Sequence, residues 1–103
     1  MKILFTLQSS YFDQDKISVI NLTKAALKKR HNVDIFLMAD GVTHLADEKF
    51  LELAKLGAVI TVCEHNRIML QAPLNLPDVK YQSQYELAQL VATADKVIAF
   101  IDR

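Results

Sequence analysis

Apolar residues fall into four nearly unbroken runs of strand length: Lys2–Gln8, Val33–Met38, Ala58–Cys63 and Lys96–Ile101. Runs that do not alternate with polar residues suit strands covered on both faces, as in parallel sheets. Between them the period changes to that of helices. From about Asp13 to His31, residues Ile17, Ile20, Lys24 and Leu27 mark one edge of a stripe, and Val19, Leu22 and Ala26 the other. Ser10-Tyr11-Phe12-Asp13 has the form of a capping box at its start. Lys28, Lys29, Arg30 and His31 crowd its last turn, where positive charge suits the helix dipole, and Asn32 fits the left-handed position beyond it. A second helix is expected over Asp47–Leu56, with Phe50, Leu53 and Ala54 inward and Gly57 as its stop. A third runs from about Gln84 to Thr93. Ser83 and Glu86 form its capping box, and Leu87, Leu90, Val91 and Ala94 its apolar face. Asn66–Gln71 reads as a short helix, Ala72–Asp78 as a proline-broken loop, and Val79–Tyr81 as one more short strand.

This alternation predicts one α/β domain over residues 1–103: a three-layer α/β/α sandwich with a mainly parallel sheet of about five strands, Rossmann- or flavodoxin-like in architecture. In such sheets ligands bind beyond the carboxyl ends of the strands. That rule selects Gln8–Asp13, Met38–His44, Cys63–Arg67 and Tyr81–Gln84, and the only cysteine of the chain lies in the third.

Composition narrows the chemistry. Twelve Lys and Arg balance twelve Asp and Glu, so non-specific nucleic-acid binding, which rests on neutralised phosphates, is not expected. The first apolar run is too short for a signal-peptide core or a membrane span. The expected compartment is the cytoplasm, where Cys63 stays reduced. A single cysteine excludes an intramolecular disulfide and a cysteine-cluster zinc site, and no carboxylates stand at metal-ligand spacing. Position 69 is Met where a Cys-x5-Arg phosphate loop needs Arg, and position 66 is Asn where a Cys-x-x-Cys motif needs Cys. Gln8-Ser9-Ser10-Tyr11-Phe12 holds no glycine, so dinucleotide and P-loop fingerprints are absent.

Cys63 ends a strand where a helix can begin, a place that favours thiolate. His65 and Arg67 add positive potential, Glu64 opposes it, and Asp40 and His44 end at the same sheet edge. The plainer reading makes Cys63 a buried structural residue, Asp40-Gly41 a turn, and the histidines solvated. Tyr11 and Phe12 either line a pocket, plug a subunit interface or staple the first helix.

Four segments together resemble the DsrE/DsrF-like family of small sulfur-relay proteins. They are Met1–Ser9, the stretch Ala25–Val42 with Asp40-Gly41-Val42 at its turn, Leu56–Cys63 with its terminal cysteine, and Leu87–Ile101. Ala39 stands where the family's turn has its first glycine, and Glu64-His65-Asn66-Arg67 replaces the small residues or second cysteine that follow in many members. The resemblance implies a DsrE-like α/β sandwich that assembles as trimers or hexamers, alone or with related subunits. It also implies a Cys63 that carries sulfur as a persulfide between donor and acceptor proteins, without metal or organic cofactor. His65, Arg67, Asp40, His44, Ser9 and Ser10 would shape that site. The rival expectations are a non-enzymatic ligand-binding module and an assembly subunit, both with a structural Cys63. Leu74 and Leu76, on the proline loop, are expected at a contact surface.

Overall fold

The computed structural model describes residues 1–101. Five strands, β1 (Lys2–Leu7), β2 (Asn32–Leu37), β3 (Val59–Cys63), β4 (Val79–Gln82) and β5 (Lys96–Phe100), form one sheet in the order β4-β3-β2-β1-β5. Every pairing is parallel. All four apolar runs are strands, and the short run at Val79 is the fifth. Helix α1 spans Asp15–Lys28, α2 Glu48–Leu51, α3 Glu64–Met69 and α4 Gln84–Thr93.

Side chains alternate across the pleat, which divides the core in two. Phe5, Leu7, Val33, Ile35, Leu37, Ile60 and Val62 face Val19 and Ala26 of α1 and Phe50 and Leu53 of the α2 region. On the other face Leu4, Phe36 and Cys63 form a small cluster under Leu87, Leu90 and Ala94, the last just past the end of α4. On α1 the buried stripe runs Val19-Thr23-Ala26, whereas Ile17 and Leu22 stay exposed. On α4, Val91 points to solvent. In the proline loop Leu74 is exposed, but Leu76 packs on the large core. Tyr81 pins that loop: its hydroxyl donates to the Pro73 carbonyl and accepts from Leu76 N–H, both at 3.1 Å.

The helix expected over Asp47–Leu56 is built of two short pieces, α2 and a 3₁₀ turn, and another 3₁₀ stretch precedes it. A 3₁₀ stretch covers Ala39–Ala46, α2 is a single turn capped by Asp47, and a 3₁₀ turn follows over Glu52–Ala54. Gly41 lies where this stretch crosses the end of β1. A Cβ there would sit 1.8 Å from the Leu7 carbonyl oxygen, so glycine is required for close approach.

Helix ends follow hydrogen bonding more than residue type. After α1, Arg30 N–H reaches the Leu27 carbonyl and His31 N–H the Ala26 carbonyl. This is a Schellman end, and its left-handed residue is Arg30 at φ 65°, in place of the expected Asn32, which opens β2. The same bonds recur at Gly57 (φ 115°) and at Gln71 (φ 52°). The Ser83 capping box is present. The expected box at Ser10 is not: α1 starts at Asp15, and the Ser10 carbonyl closes a turn by accepting from Asp13 N–H at 3.0 Å.

Candidate functional site

The carboxyl edge of the sheet carries the loop after β1, the 3₁₀ stretch after β2, α3 after β3 and Ser83 after β4. A parallel sheet puts all four there because each crossover returns the chain to the opposite end. Two hydrogen bonds tie neighbouring segments across that edge. Ala39 N–H donates to Asn66 Oδ1 at 2.9 Å, joining the 3₁₀ stretch to α3. Tyr11 N–H donates to Thr43 Oγ1 at 2.8 Å, and that hydroxyl donates to the Asp40 carbonyl at 2.7 Å.

His44 is fully buried rather than solvated. Its ring packs against Phe50, 5.1 Å between centroids, within the large core. Nε2 lies 2.9 Å from the Ser9 carbonyl. A carbonyl only accepts, so Nε2 carries the hydrogen and Nδ1 presents a bare lone pair, which has no partner among the described residues. Protonating Nδ1 would bury an N–H facing no acceptor. Burial accordingly pushes the His44 pKa below its usual 6.5, with Lys16 acting the same way, against the Ser9 carbonyl, Asp47 and Asp13. Ser9, also fully buried, donates from Oγ to Asp15 Oδ2 at 2.9 Å. Ser10 is half-buried, and Asp40 is exposed on the outer rim.

Cys63 ends β3 and is the residue from which α3 starts. Its side chain is 1 % exposed, packed with Leu4 and Phe36 and covered by Met38, Leu87, Leu90 and Ala94. His65 is exposed. Arg67 donates from Nε to Glu64 Oε1 and from Nη1 to the Ala72 carbonyl, the latter at 3.1 Å, so its guanidinium staples α3 to the following loop.

The expected site residues thus divide into two groups. Ser9 and His44 meet on the large-core side, with Ser10, Tyr11, Thr43 and Asp40 above them. Cys63 lies in the other core cluster, and Arg67 is committed to Glu64 and Ala72. Asp15 was not expected: as the second residue of an Asp-x-Asp it reads as a first-turn helix acid, yet it is buried against Ser9. Asn66, which locks two edge segments together, was legible only as part of a short helix. Among the described residues no three His, Cys, Asp or Glu converge as a metal site, and no helix is long and apolar enough to cross a membrane. An open groove of about 500 Å³ runs along α4, lined by Lys2, Gln82, Glu86, Gln89, Leu90 and Thr93 among others. Gln82 is the register partner of Cys63.

No family model matches the chain, and no curated protein matches it in sequence. Among solved structures, the crystal structure of the ychN protein from E. coli superposes with a TM-score of 0.77 at 23 % identity, covering 97 % of this chain and 99 % of that one. That protein has the DsrE-like fold, so a five-stranded parallel α/β sandwich of the DsrE-like type is the fold of this chain.

Proposed function

We propose that this chain is a cytoplasmic sulfur carrier of the DsrE/DsrF-like kind, with Cys63 as the residue that bears the sulfur. The supporting observation is the place of the thiol: the only cysteine stands at the carboxyl end of a strand, on the edge where four loop segments meet. The fold shared with the ychN protein is compatible with that reading. In the reaction, the Cys63 thiolate attacks the outer sulfur of a donor protein's persulfide. A bond forms between that sulfur and Sγ as the donor's sulfur–sulfur bond breaks, and the donor leaves as thiolate. An acceptor thiolate then takes the outer sulfur from Cys63 by the same displacement, so no external oxidant or reductant is consumed.

A 1 % exposed thiol cannot meet a second protein while α4 lies over it. Transfer therefore requires the cover of Leu87 and Leu90 to open. The same burial favours a second reading, an assembly or ligand-binding subunit in which Cys63 only fills the small core. One experiment separates them. The protein is incubated with a cysteine desulfurase and cysteine, and its intact mass is measured beside that of Cys63→Ser. One added sulfur atom on the wild type and none on the variant supports the relay. No adduct on the wild type, or the same adduct on both, eliminates it and leaves the structural reading.

A further inference from the structure

The sheet face that buries Cys63 lies under α4, and the groove of about 500 Å³ runs along that helix. This volume falls within the range of small-molecule sites. Two lining residues also belong to the surroundings of the thiol. Leu90 lines the groove and covers Cys63. Gln82 lines the groove and is the register partner of Cys63 on the neighbouring strand, so the two side chains leave the same face of the sheet. Leu90 is thus the partition between groove and thiol, and it is itself only half-buried. Turning one side chain is a fast local motion, whereas lifting α4 off the sheet is a local unfolding event. A small molecule already in the groove therefore has a shorter way to Cys63 than a second protein has.

The polar lining says what that molecule carries. Lys2 Nζ donates to Thr93 Oγ1 at 3.0 Å and forms no salt bridge among the described residues, which leaves two of its three N–H donors. Glu86 Oε2 accepts from Ser83 N–H at 2.9 Å and from the Ser83 hydroxyl. Those bonds hold the Glu86 pKa below its usual value, so the carboxylate stays charged. The side-chain amides of Gln82 and Gln89 make no hydrogen bond among the described residues. One ammonium, one carboxylate and two uncommitted amides complement a short zwitterionic peptide, which brings a carboxylate, an ammonium and peptide groups. A wholly apolar ligand would leave all of them unmatched.

We propose that Cys63 takes sulfur from a small peptide persulfide, a short zwitterionic peptide whose cysteine bears one extra sulfur atom, bound in the groove along α4 with Leu90 turned aside. The inference rests on the reading of Cys63 as the sulfur-bearing residue and adds a chemical class of donor that reaches it without helix opening. The Cys63 thiolate attacks the outer sulfur of the persulfide. The bond from Sγ to that sulfur forms as the sulfur–sulfur bond of the peptide breaks. The proton stays on the transferred sulfur and the peptide leaves as thiolate, so no oxidant or reductant is consumed. Lys2, Gln82 and Gln89 position the peptide and take no part in the displacement.

The test is the rate of sulfur addition, read by intact mass, with glutathione persulfide as the probe at up to about 5 mM, where even a weak site is populated. Wild type, Lys2→Gln, Gln82→Leu and Cys63→Ser are compared, and thermal melts verify that each variant folds. The persulfide of 2-mercaptoethanol, small but uncharged, and a cysteine desulfurase with cysteine are run beside the probe. On the wild type the rate should saturate with glutathione persulfide and rise linearly with the uncharged one, and Cys63→Ser should gain no sulfur. Lys2→Gln and Gln82→Leu should raise the half-saturating concentration at least about fivefold and leave the limiting rate unchanged, a split that a merely loosened fold would not produce. Linear rates with both persulfides, or variants that match the wild type, would overturn the proposal. Loading by the desulfurase with none from glutathione persulfide would also overturn it and leave the relay standing. No adduct from any donor would remove both.

Discussion

On one face of the sheet, Phe5, Ile35, Ile60 and their neighbours are fully buried beneath α1 and the α2 region, with Phe50 and Leu53 sealed between them. On the other face, among the described residues, only Leu4, Phe36 and Cys63 are buried apolar side chains, and the residues covering them, Leu87 and Leu90, are themselves half in solvent. Asp34, on central strand β2, is half-buried; burial pushes its pKa up, against the pull of Lys2 and Lys80. Stability should thus reside on the first face, and motion near the candidate thiol on the second.

Truncating Phe50, with 0 % exposure, should cost about 3–5 kcal/mol in chemical denaturation, in the range found for buried aromatics. Leu90→Ala on the other face should cost only about 1–2 kcal/mol, because a half-exposed side chain gives up less burial. The same change should also speed alkylation of native Cys63 at least tenfold. Equal costs for the two substitutions, or an unaltered thiol rate, would erase the distinction between the faces.

His44 tests the first face by pH. Its folded pKa lies below the unfolded 6.5, so the unfolded chain binds the extra proton. Its stabilising effect is complete above about pH 6.5 and declines as pH falls below it, by up to about 1.4 kcal/mol per pH unit. His44→Phe, which keeps a ring against Phe50, should remove that part of the slope in urea melts run from pH 7 to 5. A slope equal to that of the wild type would mean that the buried imidazole is protonated in the fold without penalty. The smallest effect expected is at the end of α1. Arg30→Gly should raise stability by about 0.5–1 kcal/mol by relieving a left-handed backbone, less what the more flexible unfolded chain takes back.

Strands β1, β2 and β3 were legible because strands covered on both faces need continuous apolar runs, and β5 carries a like run although most of its residues are exposed at the sheet edge. The Ser83 capping box was legible because both members and the helix behind them agree. The identical spacing at Ser10 misled, since that segment forms a turn and a buried Ser9–Asp15 pair before the helix starts. The helix expected over Asp47–Leu56 is there as α2 and the 3₁₀ turn Glu52–Ala54, ending before Gly57. The 3₁₀ stretch over Ala39–Ala46 that precedes it was read only as an Asp40-Gly41 turn, and there Gly41 lets the backbone pass close to the Leu7 carbonyl. At Arg30 the hydrogen-bond geometry overrides side-chain preference. For the site, strand order alone placed Ser9, His44 and Cys63 at one edge. Pleat alternation sets the side of Cys63, opposite Ile60 and Val62, whereas His44 lies beyond β2 in a 3₁₀ stretch that follows no strand period. Cys63 thus joins Phe36, while His44 ends against Phe50, a place that no spacing rule reports.

The sheet order carries one more consequence, for the birth of the fold. Strand β1 lies between β2 and β5, so one of its two edges is paired only by the segment from residue 96 onward. The bond from Lys2 N–H to Asp95 Oδ2 closes a separation of 93 residues. A nascent chain can form β1, α1, β2 and β3 early, but it leaves the far edge of β1 open until Lys96–Phe100 has left the ribosome. An open strand edge recruits other strands, so chains stopped before residue 96 should aggregate.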